Sequence, residues 1–217
     1  MARNFARWAP NRTTAALTAI KTTIMSQRDA WLWDRDIQPA IYRRLDRADR
    51  YWSWSVLRQV FPLLQRLRHR RCAAYVTFVR NALGQAIPAA MHLFIERYPD
   101  IAKASPESDT VFVWFISSSP ADVLVQLNVP EPPKLGRICI DTALVCSENL
   151  GTRGRIGLHC AIAGGDPLLR FYESACGLYR LHESIRLPES RRNDGRYFHA
   201  DEALASRMLS ELDTWRT

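Results

Sequence analysis

The sequence is poor in the features that define several large protein classes. It has no run of about 18 uncharged apolar residues, which a membrane-spanning helix requires. It also has no CxxC motif, no Cys and His pair at zinc-finger spacing, no Walker motif and no GxGxxG glycine pattern. These absences predict no membrane span, and they give no support to a zinc finger, a P-loop or a Rossmann dinucleotide site.

Cysteine is also sparse. The five cysteines are odd in number and widely spaced, and most lie inside apolar runs. A scattered, odd set does not suit a disulfide framework. We therefore expect buried, reduced thiols in a cytoplasmic protein, and we expect no metal site.

What remains is the composition of an ordinary globular domain. The chain has 217 residues, of which 47% are hydrophobic and 24% are charged. A domain of this length buries roughly 70% of the surface that its unfolded chain exposes. A single domain can therefore fold without disulfides or metal.

Positive charge is concentrated in the first part of the chain. Residues 1–80 carry a net charge of +11 and residues 81–217 a net charge of −3. A basic region of this kind can bind nucleic acid, or it can be the solvated face of arginine-rich helices. No helix-turn-helix, RNA-binding or zinc motif accompanies it, so nucleic acid is not the expected partner.

The first 28 residues contain no Asp or Glu. This composition is typical of a mitochondrial transit peptide. It also fits a start site assigned upstream of the true one at Met25, or a disordered or loosely docked extension. The last two interpretations are preferred. The predicted organisation is a basic extension over 1–28 and one domain over 29–217.

Apolar periodicity predicts both helices and strands in this domain. Pro62 is expected to kink or break the second helix. Asp166 and Asp201 are expected to cap the last two helices. The predicted helices are 37–50, 52–70, 137–150, one from Asp166 and one from Asp201. The predicted strands are 72–79, 86–96, 110–117, 154–163, 178–181 and 196–200, with a further short one over 123–129.

Four tryptophans lie in or near the first two predicted helices. They can pack these helices against the sheet, or they can form an aromatic wall for a substrate. Packing is the preferred interpretation. The four residues are Trp31, Trp33, Trp52 and Trp54.

A helix N-terminus presents unpaired N–H groups and binds phosphate well. The segment "KLGRIC" lies at such a start, and Gly136 would let a ligand approach its backbone. Farther along, "GRIGLHC", the Phe171–Tyr172 pair and Gly177 resemble the end of the GCN5-related N-acetyltransferase fold. "TVFVWFISSSP" resembles its central strand, "LGRICIDTALVCSENLG" its pyrophosphate-binding helix, and the hairpin over 73–95 its early strands.

The resemblance covers about residues 72–182 and implies an α/β fold. Its central sheet is mixed and largely antiparallel, with helices on both faces, and a helical N-terminal segment precedes it. The activity implied is transfer of an acetyl group from acetyl-CoA to an amine by direct attack. The acceptor, a small molecule or a protein, and the oligomeric state stay open.

The resemblance also implies roles for individual residues. Tyr172 would donate a proton to the thiolate leaving group. The positions implied for acetyl-CoA are Ile116, Ser117 and Ser118 at the strand exit, and Lys134, Leu135, Gly136, Arg137 and Ile138 at the helix start. The general base stays open among Glu96, Asp109, Asp122 and His159. For His159 a purely structural role is preferred.

The turn before this helix departs from the family pattern, which is Gln/Arg-x-x-Gly-x-Gly/Ala. Gly136 takes the last position, Lys134 the first glycine position and Glu131 the Gln/Arg position. A catalytically silent member that binds a ligand or partner is therefore an alternative. A nucleic-acid-associated protein that uses the basic N-terminal half is a second alternative.

Overall fold

A computed structural model describes residues 7–8, 20–68, 70–103, 109–129, 135–188 and 191–213. Within these residues eight strands form one sheet. They are β1 (Arg7–Trp8), β2 (Ile20–Ile24), β3 (Cys72–Arg80), β4 (Ala86–Pro99), β5 (Asp109–Ser118), β6 (Ile156–His159), β7 (Tyr179–Arg180) and β8 (Tyr197–Ala200). Their spatial order is β1-β2-β3-β4-β5-β6-β8-β7. Neighbouring strands pair antiparallel, except that β5 and β6 are parallel.

Seven α-helices are described in the same residues. They are α1 (Gln27–Asp36), α2 (Gln38–Tyr42), α3 (Trp54–Arg68), α4 (Ala121–Gln126), α5 (Leu135–Asn149), α6 (Gly165–Arg170) and α7 (Glu202–Asp213). A short 3₁₀ turn, Ile162–Gly164, precedes α6, and a π-helical turn, Phe171–Ala175, continues it. None of the described helices combines the length and the apolar character that crossing a membrane would need.

The helices cover both faces of the sheet. On the α1–α3 face, Trp33 and Trp54 are fully buried and pack in one core with Leu93 of β4. On the α5–α7 face, Leu144 packs in a second core with Phe94. Phe94 directly follows Leu93, and successive side chains of a strand point to opposite faces. The mixed, largely antiparallel sheet with helices on both faces confirms the predicted α/β fold.

The N-terminal segment differs from the predicted loose extension. Residues Ile20–Ile24 form strand β2, which pairs with β3 along its whole length. Ile20 and Thr22 are buried, and the Thr22 hydroxyl lies 2.8 Å from that of Thr77. This partner allows a polar side chain to enter the core, which apolar periodicity does not reveal. Most of residues 1–19 lie outside the described residues.

Two elements near the middle of the chain also differ from expectation. The predicted strand over 123–129 is helix α4, because Pro120 begins a helical turn that buries Val123 in the core of the α1–α3 face and Leu124 in a cluster with the start of α5. The predicted helix over 37–50 ends at Tyr42, and Leu45 is exposed instead of packed.

Helix boundaries elsewhere follow local chemistry. Helix α3 runs through Pro62 without a break, with the proline on the solvent side. Helix α6 begins at Gly165 after Gly164, so Asp166 lies in its first turn and does not cap it. Asp201 caps α7 as predicted, because its carboxylate accepts the Leu204 N–H at 2.8 Å.

Candidate active site

The central feature of the site is a gap in the sheet. Strands β5 and β6 pair over three residues, and the last pair is Val113 with Leu158. Beyond it β5 continues to Ser118 and, among the described strands, pairs only with β4. A β-bulge at Trp114 interrupts that pairing, and bulges bend a strand and increase its twist. The two parallel strands therefore diverge after Val113.

The divergence opens a cleft of about 550 Å³. Its walls come from both faces of the sheet. Residues Gly136, Leu168, Phe171 and Tyr172 line it from the α5–α7 face, and residues Trp52, Trp114, Phe115 and His159 are among those lining the rest. The cleft thus passes through the sheet where backbone pairing stops.

Phe171 and Gly136 meet at the edge of this cleft. A Cβ atom added to Gly136 would overlap the Phe171 ring, so a glycine is needed for the π-helical turn to approach the first turn of α5. The sequence predicted Gly136 as a point of ligand approach. The structure gives it a packing role as well.

Tyr172 lines the cleft as predicted. Its ring packs 5.7 Å from that of Phe198, in the core of the α5–α7 face. Burial raises the pKa of Tyr172 above its usual value, so the phenol stays protonated at neutral pH. Its hydroxyl has no hydrogen-bond partner recorded within the described part of the chain. The hydroxyl is therefore not engaged by another described residue.

The exit of β5 holds the predicted Ile116, Ser117 and Ser118. Ile116 and Ser118 line the cleft, whereas Ser117 is buried and its hydroxyl donates to Asp49 at 2.5 Å. The Ser118 carbonyl accepts a hydrogen bond from Arg47 at 2.9 Å. A loop that precedes α3 therefore already occupies part of the predicted cofactor-binding strand.

That loop is held by an ion pair. The Arg47 Nε donates to the Asp49 carboxylate at 2.7 Å, and Asp49 is almost fully buried. Burial opposes the charge of Arg47, but the hydrogen bond that Arg47 donates to Asp49 and the negative charges of Asp49 and Asp46 together outweigh it and raise the pKa of Arg47. Sequence reasoning missed this pair, because the run "RLDRADR" looks like a solvated helix face.

The start of α5 contains the other predicted cofactor positions. Gly136 lines the cleft, whereas Leu135 and Ile138 are buried in the core. Arg137 forms an exposed ion pair with Glu211 at 3.7 Å. The predicted Lys134 lies outside the described residues.

One of the four general-base candidates reaches the cleft. His159 lines it, and its Nε2 lies 3.0 Å from the Asp194 carboxylate. The other three are absent from the lining and have ion-pair partners of their own: Glu96 with Arg71, Asp109 with Arg97 and Asp122 with Arg44. A structural role was preferred for His159 from the sequence, but the residue lies on the cleft wall, where a ligand can reach it.

The four tryptophans differ in their surroundings. Trp33 and Trp54 are fully buried packing residues, and Trp31 is exposed. Trp52 lines the cleft and stacks edge-on against Phe115, with ring centroids 4.7 Å apart.

All five cysteines are buried. Across the described residues, no group of three or more His, Cys, Asp and Glu side chains could hold a metal ion.

Comparison with known proteins identifies the class of fold. Among solved structures, the chain is similar to a mutant of the toxin AtaT bound to the C-terminus of the antitoxin AtaR and acetyl-CoA, with a TM-score of 0.51 and 10% identity over 88% of this chain and 98% of that chain. It is also similar to a Vibrio cholerae protein assigned as a ribosomal-protein-serine acetyltransferase, with a TM-score of 0.50 and 12% identity over 83% of this chain and 92% of that chain.

The chain therefore has the GCN5-related N-acetyltransferase fold, and at these identities the likeness is one of fold. No protein-family model matches the chain, and no curated protein matches it.

Proposed function

We propose that this protein is an acetyl-CoA-dependent N-acetyltransferase that acts on an amine-bearing acceptor. The observation that carries the proposal is the divergence of β5 and β6, with Tyr172 lining the cleft that it opens. A cleft through a sheet can hold a thioester from one face while an acceptor approaches from the other.

The residues present fit acetyl-CoA at two places. Past Val113 the edge of β5 that faces the cleft is not bonded to β6, so its backbone can pair with the amides of an extended ligand. Ile116 is the best placed residue of this edge, because the Ser118 carbonyl is already bonded to Arg47. The N–H groups of the first turn of α5, around Gly136, suit the pyrophosphate.

Acetyl-CoA supplies an acetyl group activated as a thioester. The chain itself holds both substrates in one orientation, which is a large part of catalysis in reactions of this type. Tyr172 donates a proton to the departing sulfur. Burial keeps the phenol protonated at neutral pH and also makes it a weaker acid, so its contribution depends on how it is positioned; a positioned acid contributes about 10²–10⁴-fold to the rate.

Two contacts favour a second candidate, a ligand-binding protein of the same fold without catalysis. The Phe171 ring covers Gly136, and Arg47 bonds to the Ser118 carbonyl. Both contacts use parts of the surface that acetyl-CoA would need.

Calorimetric titration of the protein with acetyl-CoA, followed by an assay for released thiol with a panel of amines, separates these candidates. Binding and release are expected. A ligand at 100 times its Kd stabilises the fold by about 2.7 kcal/mol, so a thermal shift provides an independent measurement. The absence of binding at millimolar acetyl-CoA would contradict the acetyltransferase and support the second candidate, a protein that binds a different ligand. Binding without release across the panel would support the silent protein.

The variant Tyr172→Phe tests the proton donor. We expect unchanged acetyl-CoA affinity and a fall in the rate of thiol release of at least about tenfold, because the acid is lost while the ring stays. Tyr179→Phe is the matched control, since Tyr179 is exposed and does not line the cleft. Equal rates in both variants would make Tyr172 a packing residue.

A further inference from the structure

His159 lines the cleft and is paired with Asp194, and the proposed function does not yet use this pair. His159 is the last residue of β6, and its Nε2 lies 3.0 Å from the Asp194 Oδ2. The two side chains are 31% and 34% exposed, so solvent and ligand can reach both. Such a pair, reachable from the cleft, has the composition of a proton-accepting dyad.

The turn that carries Asp194 is held in place by its own hydrogen bonds. The Asp194 Oδ1 accepts the Arg196 N–H at 3.1 Å, and the Asn193 Oδ1 accepts the Gly195 N–H at 3.0 Å. Gly195 has a φ of 72°, a conformation that favours glycine. The sequence marks this segment as an Asn-Asp-Gly turn. The structure shows that the turn aims its carboxylate at the end of β6.

The carboxylate fixes which nitrogen of the imidazole carries the proton. Burial works against the charge of Asp194, but hydrogen bonds from His159 and the Arg196 N–H lower its pKa, so it is ionised at neutral pH. An ionised carboxylate only accepts hydrogen bonds, so the His159 Nε2 is the protonated nitrogen. The lone pair of a neutral ring then lies on Nδ1.

The dyad lies across the sheet from Tyr172. A Cβ atom added to Gly157, two residues before His159, would meet Ile101 in the core of the α1–α3 face. The His159 ring is on this same face, with its centroid 4.6 Å from that of Tyr197. Tyr172 belongs to the core of the α5–α7 face. The cleft therefore has a proton acceptor on one side and a proton donor on the other.

We propose that His159 is the general base of the acetyl transfer and that Asp194 is the positioning residue that sets its tautomer. This inference rests on the proposed function. The acceptor nitrogen forms a bond to the acetyl carbon and the carbon–sulfur bond breaks. The His159 Nδ1 takes the proton that the nitrogen loses, and the Tyr172 hydroxyl gives one to the sulfur. Solvent restores both residues.

Other charged and titratable groups line the same cleft and compete for this role. Asp49 is engaged by Arg47 and Ser117, which leaves it little capacity to accept a further proton. Asp46 is exposed on the same loop, and Asp46→Asn is therefore the competing variant. The remaining groups of this kind in the lining are Arg47, Arg191, Tyr172 and Tyr197.

A measurement on the protein without acceptor tests the tautomer. Nitrogen-15 NMR of labelled protein at neutral pH should show His159 protonated at Nε2, and Asp194→Asn should mix the two tautomers. The signal is identified by its loss in His159→Gln or, if that variant does not fold, in His159→Asn. Protonation at Nδ1 in the parent protein would overturn the proposal.

Kinetics tests the base itself. With an amine from the panel, His159→Gln should lower kcat by about 10²-fold or more and remove the acid limb of the profile of kcat/KM against pH. Asp194→Asn should lower kcat by at least about tenfold with little change in KM for acetyl-CoA. His199→Gln is the control, because His199 lies on β8, outside the cleft lining, and should turn over like the parent.

The outcomes distinguish this inference from the function on which it rests. Failure of the parent protein to bind acetyl-CoA would remove the proposed function. Intact binding with parental turnover in His159→Gln would overturn the base alone, and loss of turnover in Asp46→Asn would then assign the role to Asp46.

Discussion

The two halves of the sheet differ in how much of their backbone is hydrogen-bonded to neighbouring strands. From β2 to β5 each strand is bonded to its neighbours over most of its length, and β3 pairs with β4 from Cys72 to Arg80. Between β5 and β6 pairing stops after three residues. In the paired half, most backbone N–H and C=O groups are already hydrogen-bonded within the sheet. At the open edge, backbone groups of β5 are not bonded to β6, and a ligand can bind them.

Polar side chains follow the same division. In the paired half, Thr22, Thr77 and His92 form a buried chain, with 2.8 Å between each hydroxyl and its partner. At the open edge, Tyr172 and His159 line the cleft. Stability is therefore expected to depend on the first region and chemistry on the second.

Removal of β2 should have the largest effect on stability. A chain that starts at Met25 loses the buried Ile20 and Thr22 and exposes the edge of β3. We expect its free energy of unfolding, measured in urea, to fall by on the order of 3 kcal/mol or more. A chain that starts at residue 20 is the control and should retain most of the stability. Equal midpoints for the Met25 chain and the full chain would show that β2 contributes little.

Acid should destabilise the paired half through His92. Complete burial lowers the pKa of His92 from 6.5 to about 3, so the unfolded chain takes up this proton first. The neutral ring's contribution to stability is fully present above about pH 6.5. It is lost as the pH falls towards 3, at up to about 1.4 kcal/mol per pH unit.

Unfolding titrations between pH 7 and pH 3 measure this slope. His92→Leu should flatten it, although the variant is less stable at neutral pH because Thr77 loses a partner. His182→Gln should keep the parental slope, since its side chain lies on an exposed loop. The same slope in His92→Leu as in the parent would assign the acid sensitivity to other groups.

At the open edge, Gly136→Ala should have an intermediate effect. The added methyl group would overlap the Phe171 ring, and overpacking of this kind costs about 1–3 kcal/mol. Thermal unfolding of Gly136→Ala and of the double variant with Phe171→Leu measures the overlap. Recovery of stability in the double variant is expected. A neutral Gly136→Ala would mean that the ring moves away freely.

The smallest effect is expected for the hydroxyl at the cleft. Tyr172→Phe should change the free energy of unfolding by less than about 0.5 kcal/mol, because no described residue bonds to this hydroxyl. Thr77→Val removes a hydroxyl from the paired half and leaves Thr22 and His92 short of a partner. It should cost about 1–3 kcal/mol. Equal losses in the two variants would contradict the division between the regions.

The long strands were the most predictable part of this structure. The predicted strands 72–79, 86–96 and 110–117 correspond to β3, β4 and β5, because β-branched and aromatic residues are concentrated there. Strand β2 was missed because its threonines give no apolar pattern. Thr22 can be buried only because its hydroxyl is hydrogen-bonded to that of Thr77, and the sequence does not show this contact. Helix α4 was mistaken for a strand, because a short apolar run carries no clear period.

The candidate site was predictable where one element carries it. Tyr172 lies in one helical segment and reaches the cleft as expected. Arg47 bonds to Ser118 from 71 residues away, and Asp194 meets His159 across 35 residues. The sequence around these residues does not predict either of these long-range contacts.

The sequence by itself determined the long strands and several of the helices, because apolar period, turn residues and capping act over a few neighbouring positions, and its resemblance to the GCN5-related N-acetyltransferase family implied the fold class. Only the tertiary structure decided where the pairing of β5 and β6 ends and which loops place charged side chains beside the cleft. Those features depend on how distant segments pack against one another. Local patterns do not encode that packing, so the cleft became visible only when the whole chain had folded.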